Sequence, residues 1–303
     1  METREPNREG WGYSAVAAAA VLWASSGVAG KALFRDGVEP LALVQMRATL
    51  GAVVGFLALG LRGAPLRLPR AEWPWVALLG GGALAFVQVT YFYAISRIEV
   101  AAAILLQYLA PALIAAVAVG TGAERATRAK LAALVLALGG AYLVVGGGGI
   151  HLSRMDGLGV AAGLASAVCF AAYSLLGQRV MARVPPWTAL VYALAFAAVT
   201  LHLLYPPFHY LRAGYSPGQW GLIAYVALMG TLVPFGLYFV GIERVRATRA
   251  SIVALLEPVS AAAIAFAVLG EALGAGRLAG GALVLAAVAV LNLEREAGRA
   301  PAG

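Results

Sequence analysis

Two charged side chains lie well inside long apolar runs of this sequence, and they are the first candidates for chemistry. Glu257 directly precedes Pro258 in one such run, and Arg47 lies in another. If these runs cross a membrane, each charge costs about 2.5–3.5 kcal/mol even on the mildest insertion scale, so its presence indicates a function. Glu257 fits either contact with a substrate ammonium group or a coupled proton, or bracing of neighbouring helices. Arg47 either reaches back to the nearer membrane surface or pairs with an internal acceptor.

Aromatic and amide side chains recur in the same apolar runs and could line a binding pocket. A pocket typically combines apolar walls with a few directional hydrogen-bonding groups, so such residues suit a substrate with one apolar and one polar end. Tyr91 and Tyr238 also fit the interfacial belts in which membrane proteins place Tyr and Trp. The candidate substrate-binding residues are Trp23, Gln88, Tyr91, Gln107, Tyr108, Tyr173, Tyr238 and Glu257.

Two prolines in apolar runs, Pro111 and Pro258, are candidate hinges. A proline inside a helix removes one backbone hydrogen bond and clashes with the preceding turn. At membrane depth the freed backbone groups are tolerated only where protein or a wet cavity surrounds them. The two prolines therefore predict kinks, which either assist a movement or only shape the packing.

The composition explains why these residues must be held by membrane helices. Of the 303 residues, 62% are apolar and only 12% are charged, and the mean hydropathy is +0.84. Soluble domains have about 45–50% apolar and about 25% charged residues, because water must solvate their surfaces. The sequence therefore predicts an all-α integral membrane protein whose outer surface faces the lipid bilayer.

Ten apolar segments follow one another with short connections. A hydrocarbon core about 30 Å thick needs about 20 apolar residues per helix, and ten such helices leave no room for a large soluble domain. The predicted transmembrane helices cover residues 11–34, 41–61, 75–96, 100–120, 131–150, 157–180, 187–205, 219–242, 250–269 and 278–293.

The distribution of Lys and Arg predicts the orientation of these helices. With the amino terminus inside, the inner loops and tails carry fifteen Lys and Arg residues and the outer ones carry six. Positively charged loops tend to stay in the cytoplasm. Both termini are therefore predicted to be cytoplasmic, in a multi-pass protein of the plasma (inner) membrane. The net charge of +8 is then explained by topology, and no nucleic-acid partner is expected.

The second half of the chain repeats the first at an offset of 147 residues. The offset aligns Tyr91-Phe92 with Tyr238-Phe239, Arg97 with Arg244, Pro111 with Pro258, Glu124 with Glu271 and Lys130 with Arg277. The predicted repeats are residues 1–150 and 151–303, with five helices each. Because five is odd, the second repeat must enter the membrane from the opposite side. Inverted repeats are a recurring construction of secondary transporters, and the alternative is a duplicated helical bundle without a transport role.

The repeated runs resemble a known transporter family. Residues 111–145, with Glu124, and residues 257–293, with Gly270-Glu271, resemble the two EamA-type repeats of the drug/metabolite transporter superfamily. The segment Trp23-Ala24-Ser25-Ser26 with Lys31 resembles the first helix of such proteins. The resemblance implies a ten-helix permease with a central cavity formed mainly by helices 1, 3, 4, 6, 8 and 9. Pattern and length are similar to the YddG-like aromatic amino-acid exporters of that superfamily.

The resemblance implies a secondary transporter that exports amino acids, including aromatic ones, and related small metabolites by alternating access. Export of drugs or other metabolites is the alternative within the superfamily. An intramembrane enzyme is the alternative from another class, but the sequence contains no His-Glu-x-x-His metal motif. It also contains no Gly-x-x-x-x-Gly-Lys phosphate loop, so direct coupling to ATP is not expected. No metal and no cofactor are expected. Paired glycines at a spacing of four, such as Gly276 and Gly280, favour close helix packing and leave a homodimer open.

Overall fold

The computed structural model describes residues 8–98, 100–145, 156–269 and 274–297, and within these ranges every regular element is a helix. The predicted boundary between residues 150 and 151 lies outside the described residues. Each of the ten predicted segments is helical over most of its described residues. We number the corresponding rods spans 1 to 10.

The spans have the following bounds. The first five are span 1, Arg8–Arg35; span 2, Pro40–Leu61; span 3, Trp73–Ala77, Leu78–Leu84 and Ala85–Arg97; span 4, Val100–Gln107 and Ala110–Gly120; and span 5, Arg128–Val145. The second five are span 6, Gly157–Met181; span 7, Pro186–Leu204; span 8, Pro217–Ala227, Leu228–Leu232 and residues 233–245; span 9, residues 247–254 and Leu256–Leu269; and span 10, Ala275–Ala297.

The surface of this bundle suits a lipid environment. Among the described residues, eight helices are long and apolar enough to cross a membrane, and Ala275–Leu291 is a shorter apolar helix. Several spans expose large aliphatic side chains, which are unfavourable in contact with water. Examples are Leu57, Leu131, Leu203 and Leu285. The chain is an all-helical integral membrane protein, as its composition predicts.

The two halves pack against each other in matched antiparallel pairs. Span 1 packs on span 8, span 3 on span 6, span 2 on span 7 and span 5 on span 10. Gly12 lies beside Val245 at one end of the first pair, and Ser26 lies beside Gly230 further along it. Replacing every span by its counterpart five spans later returns the same set of pairs. The packing therefore agrees with the repeat that the offset of 147 residues predicts.

Glycines let two of these pairs approach closely. A Cβ atom on Gly140 of span 5 would lie 2.6 Å from the carbonyl oxygen of Gly280 in span 10. A Cβ atom on Gly55 of span 2 would lie 2.6 Å from a methyl carbon of Val191 in span 7. Gly280, half of one predicted Gly-xxx-Gly pair, is thus used for packing within the chain.

Spans 4 and 9 are both interrupted, at matching positions. Span 4 breaks at Tyr108 and Leu109, and span 9 breaks at Leu255, which is 147 residues after Tyr108. Pro111 and Pro258 follow in the first turn of the second half-helix, where backbone N–H groups have no intrahelical partner in any case. The predicted kinks are therefore short interruptions of one or two residues, and each proline lies in the first turn of the helix that follows.

Spans 3 and 8 contain matching wide turns. Leu78–Leu84 and Leu228–Leu232 both form π-helical turns near the middle of their spans. A π-turn inserts an extra residue into the helix and occurs frequently at functional sites. The resemblance implies that six helices line a cavity, and four of these six therefore depart from a regular α-helix within the span.

Polar contacts join the two halves at both ends of the bundle. At the end that we call the basic end, the buried Glu72 accepts from Arg179 at 3.3 Å and from Arg183 at 3.1 Å. Glu124 there accepts from Lys130 at 2.7 Å and from Thr248 at 3.1 Å.

At the opposite end the ion pairs between the halves are exposed. Arg97 lies 3.4 Å from Asp156, and His209 lies 3.5 Å from Glu39. All residues at the basic end belong to loops or helix ends that the Lys and Arg count assigns to the cytoplasm, and those at the opposite end belong to the other set. The structure thus groups the loops as predicted.

Candidate functional site

A cluster of aromatic rings occupies the centre of spans 1, 6 and 8. The ring of Trp23 lies 5.0 Å from that of Phe235 and 5.4 Å from that of Tyr238. Tyr173 lies 5.8 Å from Phe235, and Phe170 lies 5.9 Å from Tyr238. Three predicted substrate-binding residues therefore meet in one place. The interfacial role considered for Tyr238 is wrong, because this face of span 8 packs against spans 1 and 6 and buries the side chain completely.

Two polar atoms in this aromatic cluster have no protein partner among the described residues. They are the indole Nε1 of Trp23 and the hydroxyl of Tyr173. The hydroxyl of Tyr238, in contrast, shares a hydrogen bond of 2.9 Å with the Ser174 hydroxyl. A buried polar group left unpaired costs about 1–3 kcal/mol. Trp23 and Tyr173 therefore offer two donors that a ligand could satisfy.

Arg47 points into the protein and not toward the membrane surface. Its Nε donates to the Thr231 hydroxyl at 2.8 Å, and its terminal Nη2 lies 3.4 Å from the carbonyl oxygen of Gly230. The side chain lines a narrow cavity between spans 2, 3, 7 and 8, together with Gln88 and Thr231. Of the two roles open for Arg47, the structure supports pairing with an internal acceptor, and span 2 is not peripheral here.

Glu257 lies in the first turn of the second half of span 9. The positive end of that half-helix's dipole favours a negative charge at this point. Within the described part of the chain the carboxylate forms no hydrogen bond and no ion pair, and the residue is not fully buried. The bracing role considered for Glu257 therefore has no bonding partner in this structure.

Three side chains from other spans interact electrostatically with Glu257. Arg47 of span 2, Tyr91 of span 3 and Tyr108 of span 4 all lie within electrostatic range of the carboxylate. We call Arg47, Gln88, Tyr91, Tyr108 and Glu257 the polar site. It draws its members from both halves of the chain.

Gln107 differs from the other candidates because its amide is already used. Its Nε2 donates to the Ser166 hydroxyl at 2.8 Å, which links span 4 to span 6. Gln107 therefore has a packing role in this conformation. The remaining candidates divide between the aromatic cluster and the polar site.

Several residues of these sites carried no signal in the sequence. Thr231 and Gly230 look like ordinary residues of an apolar run, and their contact with Arg47 depends on the π-turn of span 8. Phe170 and Phe235 were indistinguishable from lipid-facing phenylalanines. Among the described residues, no group of three or more His, Cys, Asp or Glu side chains could hold a metal ion.

Comparisons with known proteins agree with this architecture. The model of the EamA-like transporter family matches residues 10–146 and again residues 157–293. A solved crystal structure with 25% sequence identity superposes with a TM-score of 0.78, covering 95% of this chain and 98% of the other.

Three similar proteins have names that describe transport. An "Uncharacterized transporter" of Archaeoglobus fulgidus is 32% identical, over 78% of this chain and 82% of the relative. The "Aromatic amino acid exporter YddG" of Ancylobacter novellus is 31% identical, over 65% and 67%. The "Threonine/homoserine exporter RhtA" of Escherichia coli K12 is 26% identical, over 84% and 83%.

Proposed function

Because the chain belongs to the EamA-like transporter family, we propose that it exports amino acids, including aromatic ones, and related small metabolites as a secondary transporter. The observation that carries this proposal is that one bundle contains both an aromatic cluster, on spans 1, 6 and 8, and a polar site drawn from both halves of the chain. Such a combination suits a small molecule with one apolar and one charged end. The names of two relatives point the same way, since one exports aromatic amino acids and the other exports threonine and homoserine.

Each group of residues has a part in this proposal. Trp23, Tyr173 and Tyr238 contact the apolar part of the substrate, and the free donors of Trp23 and Tyr173 satisfy its polar atoms. Glu257 binds the substrate ammonium group, which compensates a carboxylate that has no other cation within ion-pair distance in the described residues.

Four further candidates complete the proposed binding site. Gln88, Tyr91 and Tyr108 line the polar side, and Gln107 joins them if its bond to Ser166 opens during transport. Two of them, Tyr91 and Tyr108, already lie within electrostatic range of Glu257.

In this proposal, the protein alternates between two conformations, each of which opens the binding site to one side of the membrane. Rocking of two inverted repeats opens a central site alternately to each side of the membrane. The repeats are residues 1–150 and 151–303, and the breaks before Pro111 and Pro258 serve as hinges. The protein lies in the inner membrane with both termini in the cytoplasm, so the basic end is the cytoplasmic end, and a second copy of the chain is a possible partner. Proton exchange and downhill facilitation are both compatible with the site.

Flux into proteoliposomes tests the proposal and the role of Glu257 together. We expect saturable flux of phenylalanine and threonine by the purified protein without any partner. Glu257→Gln should lower that flux at least about tenfold, since a charge-assisted hydrogen bond contributes about 1.5–3 kcal/mol. Glu243→Gln is the matched control, because Glu243 is exposed at the end of span 8, and it should retain the flux.

Two results would contradict this proposal. Absence of saturable amino-acid flux by the wild-type protein would remove amino acids from its substrates. Wild-type flux by a folded Glu257→Gln variant would remove Glu257 from the binding site.

A further inference from the structure

The two interior charges, Arg47 and Glu257, lie within electrostatic range of each other without forming an ion pair. They are close enough to interact electrostatically, but no nitrogen–oxygen distance between them is as short as 4.0 Å. Arg47 comes from span 2 in the first half of the chain, and Glu257 comes from span 9 in the second half. A pair of opposite charges held apart in a weakly screened interior attracts any group that bridges it.

Thr231 holds the guanidinium in a fixed orientation. Its hydroxyl donates to the carbonyl oxygen of Val226 at 3.1 Å and accepts from the Nε of Arg47 at 2.8 Å. Among the described residues, only one terminal nitrogen of Arg47 has a further protein acceptor, at 3.4 Å. The planar end of the side chain therefore retains donors, and a guanidinium presents such donors in a fork that matches a carboxylate.

The names of the relatives indicate which chemical groups a ligand bound between Arg47 and Glu257 would carry. Aromatic amino acids differ from threonine and homoserine in the size and polarity of the side chain. What these molecules share is an ammonium group and a carboxylate on one carbon atom. A site that serves both kinds of substrate must therefore contain groups for this common part.

We propose that Arg47 binds the carboxylate and Glu257 binds the ammonium group of one substrate molecule, which bridges the gap between them. The transporter then selects zwitterionic amino acids over amines that lack the carboxylate and over acids that lack the ammonium group. Thr231 is a positioning residue that aims Arg47. This inference rests on the proposed function, which it extends by assigning Arg47 and the substrate class.

The bridge also links binding to the two halves of the protein. In the described part of the chain, neither Arg47 nor Glu257 has a counter-ion within 4.0 Å, whereas a bound zwitterion would supply one to each. An amine or an acid satisfies only one of them, and leaving a buried charge unpaired is costly. Discrimination therefore arises from the unsatisfied partner as well as from the missing contact.

Competition against radiolabelled phenylalanine on purified protein tests the assignment. The three probes are phenylalanine, 2-phenylethylamine, which lacks the carboxylate, and 3-phenylpropanoate, which lacks the ammonium group. For wild-type protein we expect both analogues to bind at least about tenfold more weakly than phenylalanine, the factor expected for one lost charge-assisted hydrogen bond.

The two charge variants should respond in opposite ways. Arg47→Gln should weaken phenylalanine at least about tenfold and leave 2-phenylethylamine within about threefold of its wild-type affinity. Glu257→Gln should weaken phenylalanine similarly and spare 3-phenylpropanoate. Arg62→Gln is the matched control, because Arg62 is exposed at the end of span 2, and it should change none of the affinities.

Two results overturn the assignment of Arg47. One is an Arg47→Gln protein of unchanged thermal stability that retains wild-type phenylalanine affinity. The other is an Arg47→Gln protein that loses affinity for all three probes equally, since this is the effect of a purely structural role. If wild-type protein neither binds nor transports any amino acid, the proposed function fails as well, so the two failures are distinguishable.

Three milder variants keep the test decisive if Arg47→Gln does not fold. Arg47→Lys retains the charge and loses the fork, so phenylalanine should weaken more than 2-phenylethylamine. Thr231→Val removes the hydroxyl that accepts from Arg47, so it should also weaken phenylalanine more than 2-phenylethylamine. Thr231→Ser keeps that hydroxyl and should retain the wild-type affinity for phenylalanine. Wild-type affinities in both Arg47→Lys and Thr231→Val overturn the assignment.

Discussion

Tyr173 shows how a single buried atom separates a binding role from a packing role. Its ring stacks on Phe239 at 5.1 Å and is completely buried, yet its hydroxyl has no partner in the described part of the chain. If the side chain only filled space, phenylalanine would be more stable here than tyrosine, because an unsatisfied buried hydroxyl costs about 1–3 kcal/mol. The hydroxyl is therefore expected to serve a bound molecule.

Tyr173→Phe should keep or raise the stability of the empty protein, by up to about 1–3 kcal/mol, while it weakens phenylalanine binding. Thermal unfolding and radioligand binding in detergent measure the two effects. Tyr238→Phe is the control, because the Tyr238 hydroxyl bonds to Ser174 and its loss should cost about 1 kcal/mol. A Tyr173→Phe protein that is clearly less stable than wild type would show that the hydroxyl has a structural partner.

The sequence made Glu257 and Arg47 conspicuous, but it could not show where Arg47 points. A long side chain inside a helix can reach toward the surface or toward a neighbour, and the choice depends on the rotation of the helix about its axis. That rotation is set by packing of span 2 on spans 7 and 8, which local sequence does not encode. The same holds for Thr231, whose role exists only because Arg47 reaches it.

At the scale of elements, the interruptions of spans 4 and 9 make a testable hinge. We predict that Pro111→Ala and Pro258→Ala leave the protein folded and inserted but slow its transport, because alanine favours a continuous helix across the break. The rate of phenylalanine flux per molecule of protein is the measurement. Pro217→Ala is the control, since Pro217 begins span 8 at an end without a break.

Unchanged maximal flux in both single variants and in the double variant would mean that the prolines only shape packing. A loss of folded protein would be a different result, which size-exclusion chromatography would detect.

The pairing of spans 5 and 10 makes a second prediction at this scale. Gly140→Ala should destabilise the protein by about 1–3 kcal/mol, because the added Cβ atom would lie 2.6 Å from the Gly280 carbonyl oxygen. Gly139→Ala adds the same atom to the neighbouring residue, where no atom lies within 4 Å. That variant should be neutral or slightly stabilising, since alanine is the better helix former.

Thermal unfolding of both glycine variants measures the difference. Equal melting temperatures for Gly140→Ala and Gly139→Ala would contradict the close approach of the two spans.

The spans themselves were predictable because lipid imposes a simple rule on length and polarity. Predicted segment 219–242, for example, falls within span 8, although the structure extends that span at both ends. The breaks and π-turns were not predictable in this way. Nothing at Tyr108 and Leu109 resembles a helix terminus, and the neighbouring proline alone indicated a kink. The break depends on how the half-helices pack against spans 6 and 8.

At the scale of the whole molecule, the orientation in the membrane is the first prediction. In a Cys169→Ala background, Arg67→Cys and Arg125→Cys should not react with an impermeant thiol reagent added outside intact cells, whereas Ala213→Cys should react. The reason is that positively charged loops are retained in the cytoplasm. Each cysteine should react after the membrane is permeabilised, which serves as the control. Outside labelling at Arg125→Cys would reverse the proposed orientation.

The repeat predicted more of the whole molecule than any single motif did. An offset of 147 residues in sequence becomes matched span pairs, matched breaks and matched π-turns in the structure. The departures from symmetry could not be read in the same way. Glu72 with Arg183 at the basic end corresponds, by the same offset, to Gln219 with Asp36 at the opposite end. There the side-chain amide of Gln219 donates to the backbone carbonyl oxygen of Asp36 at 3.1 Å, and no ion pair forms between these two residues.

The contacts at the two ends of the bundle differ in how salt acts on them. Counter-ions screen exposed charges beyond about 8 Å at physiological ionic strength and weaken their pairing, but they act much less on buried groups. At the basic end, Lys130 and Glu124 are 15% and 2% exposed, and Glu72 is buried although its partners Arg179 and Arg183 are 43% and 68% exposed. Arg97 and Asp156 at the opposite end are 46% and 36% exposed. A rise in salinity is therefore expected to weaken the Arg97–Asp156 pair more than the Lys130–Glu124 pair. In the proposed alternating-access cycle, the salt content of the medium at the opposite end would then shift the balance between the two openings.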